Sequence, residues 1–505
     1  MKKHKSEINP RFVEYFQENF FADKPEELEQ FLTSLTKPLP KTIRVNTNRI
    51  SVEDFKARAL RNNWTLTMTN NPTVFRIDRT EIKIPLGHTL EHLLGYFYIQ
   101  ELSASMSVHY LAERTSENID FRVQNSVSSF DVLPSTPHSG GPHKGELGLH
   151  FSHESLRFGD VQNNTLPYLI LDMAASPGGK TTQLAEHFPH SIIIANEPTR
   201  DRMAQLVSNT ERLGNNYTMI TNYDGGFYSN LPETFDRILL DAPCSGEGIG
   251  FKESQTVKYW NLKNIYKIAR LQTKLLDAAF RALKTGGEML YSTCTLNKIE
   301  NEGVVNTIQS RYPESFEVLF EKRFWPHEEA SGGFFVCKIR KNKELEEMED
   351  KKMRAIKTNE ELILLTKDHE RLLSKFTETV GLDLSGYFLY EFKRDILAIR
   401  KNSAAKALLQ TVFPIRLGQK IGRIEEGVFT PDNRIGRDFE LTKTPIYRLR
   451  NEQELDDYLR GKEIGENGGE GYCVLQYDDL NLGIESMNPK SGYLTNTFPR
   501  EWQRK

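Results

Sequence analysis

Two cysteines stand in surroundings unlike those of an ordinary buried thiol. Cys244 lies in Asp241-Ala-Pro-Cys-Ser-Gly-Glu-Gly248 and Cys294 in Tyr291-Ser-Thr-Cys-Thr295, both polar and the first rich in glycine. A free Cys normally packs as a small hydrophobe, and that is the reading for Cys337 and Cys473. A pair of polar-flanked thiols suits one particular difficulty. Carbon 5 of a pyrimidine is too weak a nucleophile to take a methyl group, but a thiolate added at carbon 6 makes the ring enamine-like and carbon 5 reactive. A carboxyl group near ring nitrogen 3, which Asp241 can supply, stabilises that adduct. The hydrogen on carbon 5 must then leave, and a second thiol or polar group assists its removal. A stacked base hides this ring edge, so the base has to be flipped out or single-stranded. The residues alone do not say which cysteine attacks.

Such chemistry needs a group donor beside the thiols, and the stretch Leu169 to Ala185 reads as its binding turn. Leu169, Ile170 and Leu171 end a buried strand, Ala174 to Gly179 form a tight turn, and Thr181 onward is a helix. Gly178 and Gly179 are expected to let the backbone approach a ligand, while the helix N-terminus offers unpaired N–H groups. Gly179-Lys180-Thr181 also matches the end of a P-loop, with Ala174 where the first Gly should be and Asp241 ending a strand as in a second nucleotide-triphosphate motif. The next strand decides against an NTPase. Ser191-Ile-Ile-Ile-Ala-Asn-Glu197 places an acid 18 residues beyond Gly179 (197 minus 179), close to the roughly 20-residue offset of the carboxylate that holds ribose hydroxyls in Rossmann-like sites. An adenosine cofactor is the expectation.

The elements that must position these groups alternate from Leu169 to about Arg340. Strands are predicted at 192–195, 217–221, 237–240 and 287–292, helices at 200–213, 261–283 and 300–309, and a closing strand at 332–340. This rhythm predicts an α/β fold with a mostly parallel sheet and helices on both faces, whose ligand crevice lies at the carboxyl ends of the strands. Asp172, Glu197, Asp224, Asp241 and Cys294 all fall at or just beyond such ends. Upstream, residues 9–35 predict two short amphipathic helices, and Lys41 to Ile50 a half-exposed strand carrying Lys41, Arg44 and Arg49. Ser51 reads as the cap of a helix with Asp54 at N3. Composition and pattern set the domain boundaries: an N-terminal part at 1–113, to which the family resemblance given below assigns RNA binding, a flexible Ser/Asn/Pro/Gly-rich insertion at 114–167, a Rossmann-like catalytic domain at 168–342, a charged linker at 343–360 and a small mixed α+β module at 361–505.

The chain has 505 residues, 38% of them hydrophobic, and no apolar run near the ~18 residues of a membrane helix. Four cysteines without C-x-x-C spacing point to a reducing cytosol and no metal site, and no secretory signal is visible, so a cytoplasmic protein is expected; a monomer is expected separately. Net charge is −3, so an RNA partner must be met by local basic faces. Between Lys393 and Arg423 eight Lys or Arg stand against one acid, Asp395, an excess that suits a phosphate-facing surface.

Asp-Met-Ala-Ala-Ser-Pro-Gly-Gly-Lys-Thr at 172–181, Asp-Ala-Pro-Cys-Ser-Gly at 241–246 and Ser-Thr-Cys-Thr at 292–295 together resemble the Sun-type RNA cytosine-5 methyltransferases. The C-terminal part resembles the RsmF branch, which modifies small-subunit ribosomal RNA. Arg44-Val-Asn-Thr47, Tyr98-Ile-Gln-Glu-Leu-Ser103 and Leu417-Gly-Gln-Lys420 support the match. Leu102, where the family usually has Pro, and the long 114–167 insertion depart from it. The resemblance implies a class I methyltransferase fold with a PUA-like C-terminal module, S-adenosylmethionine as cofactor and 5-methylcytosine as product. It further implies that Cys294 is the nucleophile and Cys244 the release helper. The cofactor would lie against Ala174, Ala175, Ser176, Pro177, Gly178, Gly179 and Lys180, with Glu197 on the ribose, Asp224 near the adenine and Asp241 between cofactor and base. A catalytically idle RNA-binding or ribosome-assembly factor of the same fold is the alternative.

Overall fold

The computed structural model describes residues 8–80, 84–113, 168–215, 217–250, 254–329, 331–345, 362–409, 411–465, 471–488 and 492–504. The expected insertion at 114–167 and nearly all of the linker at 343–360 lie outside them. At the centre is an eight-stranded sheet. Its parallel strands are β5 (Leu169–Asp172), β6 (Ile192–Asn196), β7 (Thr218–Thr221), β8 (Phe235–Asp241) and β9 (Leu283–Thr293). The central residues of β5, β6 and β8 are apolar without alternation because helices cover both faces: Ile170, Leu171, Ile193, Ile194, Ile238 and Leu239, like Leu290 on β9, have no exposed surface. The order β9-β8-β5-β6-β7 makes β5 and β8 the pair where the chain reverses direction across the sheet. Ligands of open α/β sheets sit at the carboxyl end of that switch point, here at Asp172 and Asp241.

The helices fall where the pattern put them. Asn261 caps the 21-residue helix Leu262–Ala282, its side chain accepting from Asn264 N. Ser51 caps Val52–Arg61, its Oγ accepting from Asp54 N at 3.0 Å. On one flank of the sheet the strand β10 (Phe316–Phe324) went unread. It pairs antiparallel with β11 (Phe334–Lys341), and β11 in turn with β9, so this flank is antiparallel. Phe-Glu-Val-Leu-Phe-Glu-Lys-Arg-Phe carries charges on an edge strand, where they discourage further pairing, and those charges obscured the strand pattern.

The N-terminal expectation needs correcting. A four-stranded sheet of order β2-β3-β1-β4 is built from β1 (Thr42–Val45), β2 (Trp64–Met68), β3 (Val74–Arg79) and β4 (Phe97–Ile99). The predicted half-exposed strand shrinks to β1, buried along its whole length. Arg44 on it has no exposed surface. Its guanidinium donates to Thr182 Oγ1 at 2.8 Å and pairs with Glu186 at 2.9 Å, bracing the helix Gly179–His187. Arg49 is likewise paired, with Asp438 at 2.5 Å.

The C-terminal part forms two smaller sheets. One is antiparallel, from β12 (Leu362–Leu364), β13 (Tyr387–Phe392) and β14 (Asp395–Arg400) to β16 (Gln419–Glu425) and β17 (Val428–Pro431). The other joins β18 (Ile446–Arg448), β19 (Tyr472–Tyr477) and β20 (Leu480–Ser486). It does not stand apart as its composition suggested. A two-residue strand, β15 (Arg416–Leu417), pairs antiparallel with β7 and becomes the last strand of the central sheet. The basic window is also less free than its count. Asp395 receives Lys420, Arg423 and Arg416, Glu211 receives Arg416 and Glu425 receives Arg394, so half of the eight cations face carboxylates.

Candidate active site

β8 and β9 are neighbours and parallel, so the loops that leave them emerge together. Backbone bonds hold the loops: Ala242 N donates to Ser292 O at 2.8 Å and Gly248 N to Cys294 O at 3.0 Å. The two thiols expected to share a crevice do so, with Sγ of Cys244 3.1 Å from Sγ of Cys294. Beside them, Asp241 accepts from Ser292 Oγ at 2.9 Å and pairs with Lys180 Nζ at 2.7 Å. Cys337 and Cys473 are buried in apolar packing, as expected, while Cys244 and Cys294 are only partly covered.

The Cys244 thiol is pushed well above its ordinary range by its hydrogen bond to Cys294, by burial, and by the nearby Cys294, Glu300 and Asp241. Burial of Lys180 opposes its charge, but attraction to Asp241, Asp172 and Cys294 holds its pKa above the ordinary lysine value. A cation thus stands on the Cys294 side, and carboxylates raise Cys244. Asp172 is fully buried and its pKa is pushed up to about 7 by burial, although Thr181 Oγ1 donates to it at 2.6 Å.

The turn after β5 is built partly for packing. Gly178 adopts φ +103°, a left-handed conformation at the start of the helix Gly179–His187 that favours glycine. Gly179 is tight for another reason than ligand approach: a Cβ there would lie 2.8 Å from the Tyr98 ring. Glycine at 179 therefore lets the N-terminal part close over the turn. Ser176 is fastened to the helix Arg200–Arg212, its Oγ donating to Arg202 O and its carbonyl accepting from Arg202 Nη2. Ala175 N donates to Asn196 O at 2.8 Å, which sets the turn against the end of β6.

Whether these residues fit an adenosine cofactor can be judged from Glu197. It sits directly after β6 and is almost fully buried, with Oε1 accepting from Thr199 N at 2.9 Å. Its Oε2 is buried without a hydrogen-bond partner, the Arg202 guanidinium lying 3.4 Å away. A buried acceptor that has an ion pair but no hydrogen-bond donor keeps room for a ligand donor, and ribose hydroxyls are such donors. Asp224 lies at the end of the next strand, exposed, with Oδ1 accepting from Gly226 N at 2.9 Å. The residues therefore fit the cofactor, Asp224 less tightly than Glu197.

Three positioning residues were not found in the sequence. Glu247 has no exposed surface and accepts from Thr295 Oγ1, Leu296 N, Asn297 N and Nδ2, and Trp260 Nε1. Glu300 accepts from Ser245 N at 3.0 Å, Gln272 Nε2 at 2.9 Å and Asn297 Nδ2 at 2.8 Å. Together they tie the loop of Cys244 to the loop of Cys294. Asn196 donates to the carbonyls of Met173 and Tyr223, joining the ends of β5, β6 and β7. Their motif neighbours Ser-Gly-Glu-Gly and Ile-Glu-Asn-Glu read as ordinary polar loops, and only the folded contacts reveal them.

Comparison with known proteins follows the same outline. Residues 160–340 match the family described as 16S rRNA methyltransferase RsmB/F, and residues 8–102 match the N-terminal domain of 16S rRNA methyltransferase RsmF. Ribosomal RNA small subunit methyltransferase F of Photobacterium profundum is 35% identical over 546 aligned positions, covering 99% of this chain and 98% of that protein. Its namesake from Erwinia tasmaniensis is 36% identical over 352 positions, 66% of this chain and 63% of that one. Among solved structures, NSun6 from Pyrococcus horikoshii with SFG is similar in fold, with a TM-score of 0.50 at 21% identity over 67% of this chain and 99% of that one. A relative aligned end to end and two family matches place the chain: it belongs to the RsmF family of small-subunit ribosomal RNA methyltransferases.

Proposed function

We infer that this chain methylates carbon 5 of a cytosine in small-subunit ribosomal RNA, using S-adenosylmethionine and a covalent bond between Cys294 and the base. Membership in the family supports methylation of ribosomal RNA. The observation that carries the finer reading is the contact of the Cys244 and Cys294 sulfurs, 3.1 Å apart, at the end of the sheet where Lys180 and Asp241 pair at 2.7 Å.

The order of the thiols is the one that the resemblance to the Sun-type methyltransferases implies, with Cys294 the nucleophile, and it is consistent with a Cys244 thiol raised well above its ordinary range by its hydrogen bond to Cys294 and by burial. Cys294 Sγ adds to carbon 6 and the ring becomes nucleophilic at carbon 5. Asp241, fixed by Ser292 and Lys180, is set to hydrogen-bond the edge of the base. When bound, S-adenosylmethionine supplies an electrophilic methyl group. Ala174 to Lys180 would hold it, with Glu197 on the ribose and Asp224 toward the adenine. Cys244, its own proton first lost to solvent, then takes the carbon 5 proton, the C5–H electron pair reforms the 5,6 double bond, and the bond to Cys294 Sγ breaks with its electron pair returning to sulfur.

Incubation with labelled S-adenosylmethionine and unmodified small-subunit ribosomal RNA tests this. Label is expected in 5-methylcytosine with the intact chain and not with Cys294→Ala. No incorporation by the intact chain would favour the idle RNA-binding reading instead.

A further inference from the structure

Four cations of the basic window Lys393 to Arg423, namely Arg394, Arg416, Lys420 and Arg423, are engaged by carboxylates within the fold, which leaves open where an RNA strand is gripped. We propose that the RNA flanking the target base lies along the exposed face of the helix Leu262–Ala282 and the adjoining Tyr259, a reading that rests on the RNA substrate proposed above. Between Lys258 and Leu276 the chain carries five Lys or Arg and no Asp or Glu. Lys263, Lys267, Arg270 and Lys274 recur three or four residues apart, which puts them on one helix face. Ile265, Ala269, Gln272 and Leu276 occupy the opposite, buried face. The four cations and Lys258 are exposed. Among the described residues none of the five is paired with a carboxylate, in contrast to Arg416, Lys420 and Arg423.

Aromatic side chains accompany them. Tyr259 is 65% exposed and Tyr266 54%, large apolar rings left in water within a run of cations. Backbone phosphates and unstacked bases are the partner that suits both features, because cations follow the strand and every base offers a π face. An acidic protein surface would meet the lysines but leave the rings without a matching partner.

The face is also placed next to the chemistry. A crossover helix between parallel strands begins at the carboxyl end of the first strand, so Tyr259 to Lys267 lie at the end of the sheet that carries Cys244 and Cys294. Hydrogen bonds join the two. Trp260 Nε1 donates to Glu247, the carboxylate that receives Thr295, Leu296 and Asn297 just after Cys294. Gln272 Nε2 donates to Pro243 O, beside Cys244. A strand held on this helix is thus held at a fixed offset from the thiols.

The test titrates unmodified small-subunit ribosomal RNA into the full-length chain over a range of salt, alongside S-adenosylmethionine binding. Lys263→Ala/Lys267→Ala/Arg270→Ala is expected to bind RNA at least about tenfold more weakly at low salt and to reduce the slope of log affinity against log salt by about 2, as loss of three single-strand phosphate contacts requires. Tyr266→Ala is expected to lose about tenfold without changing the slope. Cofactor affinity should be unchanged in both. Parental affinity and slope in the triple variant, with RNA binding intact, would overturn the surface and leave the proposed function standing. An intact chain that binds S-adenosylmethionine but no RNA at any salt would overturn both, and one whose basic helix is competed by an acidic protein and not by RNA would reassign the face.

Discussion

Sγ of Cys244 lies 3.1 Å from Sγ of Cys294 although 50 residues separate them. At that distance one negative charge on the pair opposes a second, so the two sulfurs are suited to successive roles. Cys244→Ala should allow attack on the base and stall release, leaving a protein–RNA adduct that survives denaturation. A denaturing gel with labelled RNA reads this: a slower band with Cys244→Ala, none with Cys294→Ala or the double variant. The reverse pattern would exchange the roles.

Glu247 gathers five donors from Trp260 and the segment after Cys294 while fully buried. Glu247→Gln sets an amide N–H₂ against some of those donors, a mismatch worth about 1–3 kcal/mol. We expect kcat to fall by about tenfold or more with a smaller change in the KM for RNA, and the adduct of a Cys244→Ala/Glu247→Gln double variant to form more slowly. Equal loss in kcat and in melting temperature, with adduct formation unaffected, would mean that Glu247 only holds the fold.

Gly179 and Tyr98 meet across two parts of the chain, and a Cβ at 179 would come within 2.8 Å of the ring. Gly179→Ala should destabilise by about 1–3 kcal/mol through overpacking and weaken cofactor binding. Tyr98→Leu in the same chain should recover part of both. Thermal unfolding and cofactor titration of the two single variants and the double variant give the coupling, and strict additivity would contradict the contact.

Glu485 is buried among Asn433, Tyr458 and Thr497, which donate to it. Burial pushes its pKa up to about 7. For a carboxyl raised in the folded state, the contribution to stability is complete below the unfolded pKa, near 4, and is lost as pH rises through about 7. The C-terminal part should therefore lose up to about 3 kcal/mol between pH 5 and pH 8 on this account, and Glu485→Gln should flatten that dependence. Urea unfolding followed at several pH values measures it; a variant with the parental pH slope would remove Glu485 as the cause.

The local patterns were legible because they depend on neighbours along the chain. Short aliphatic runs announced β5, β6 and β8, the alternation of strand and helix announced β9, a capping residue announced the helix behind Ser51, and short polar motifs at strand ends pointed to Cys244, Cys294, Asp241 and Glu197. Parallel pairing then brought those strand ends together, as the alternation of strand and helix required. What depended on distant partners could not be read. Arg44 looked like a surface cation until Glu186, 142 residues away, was seen to receive it in a buried site. Arg416 belonged to a basic run until Glu211, 205 residues earlier, neutralised it. Lys180 was one residue of a glycine turn, and its pairing with Asp241 across 61 residues gives the two cysteines different electrostatic surroundings. Periodicity and capping are properties of a segment, whereas the charge felt by a side chain is set by whatever the fold places against it.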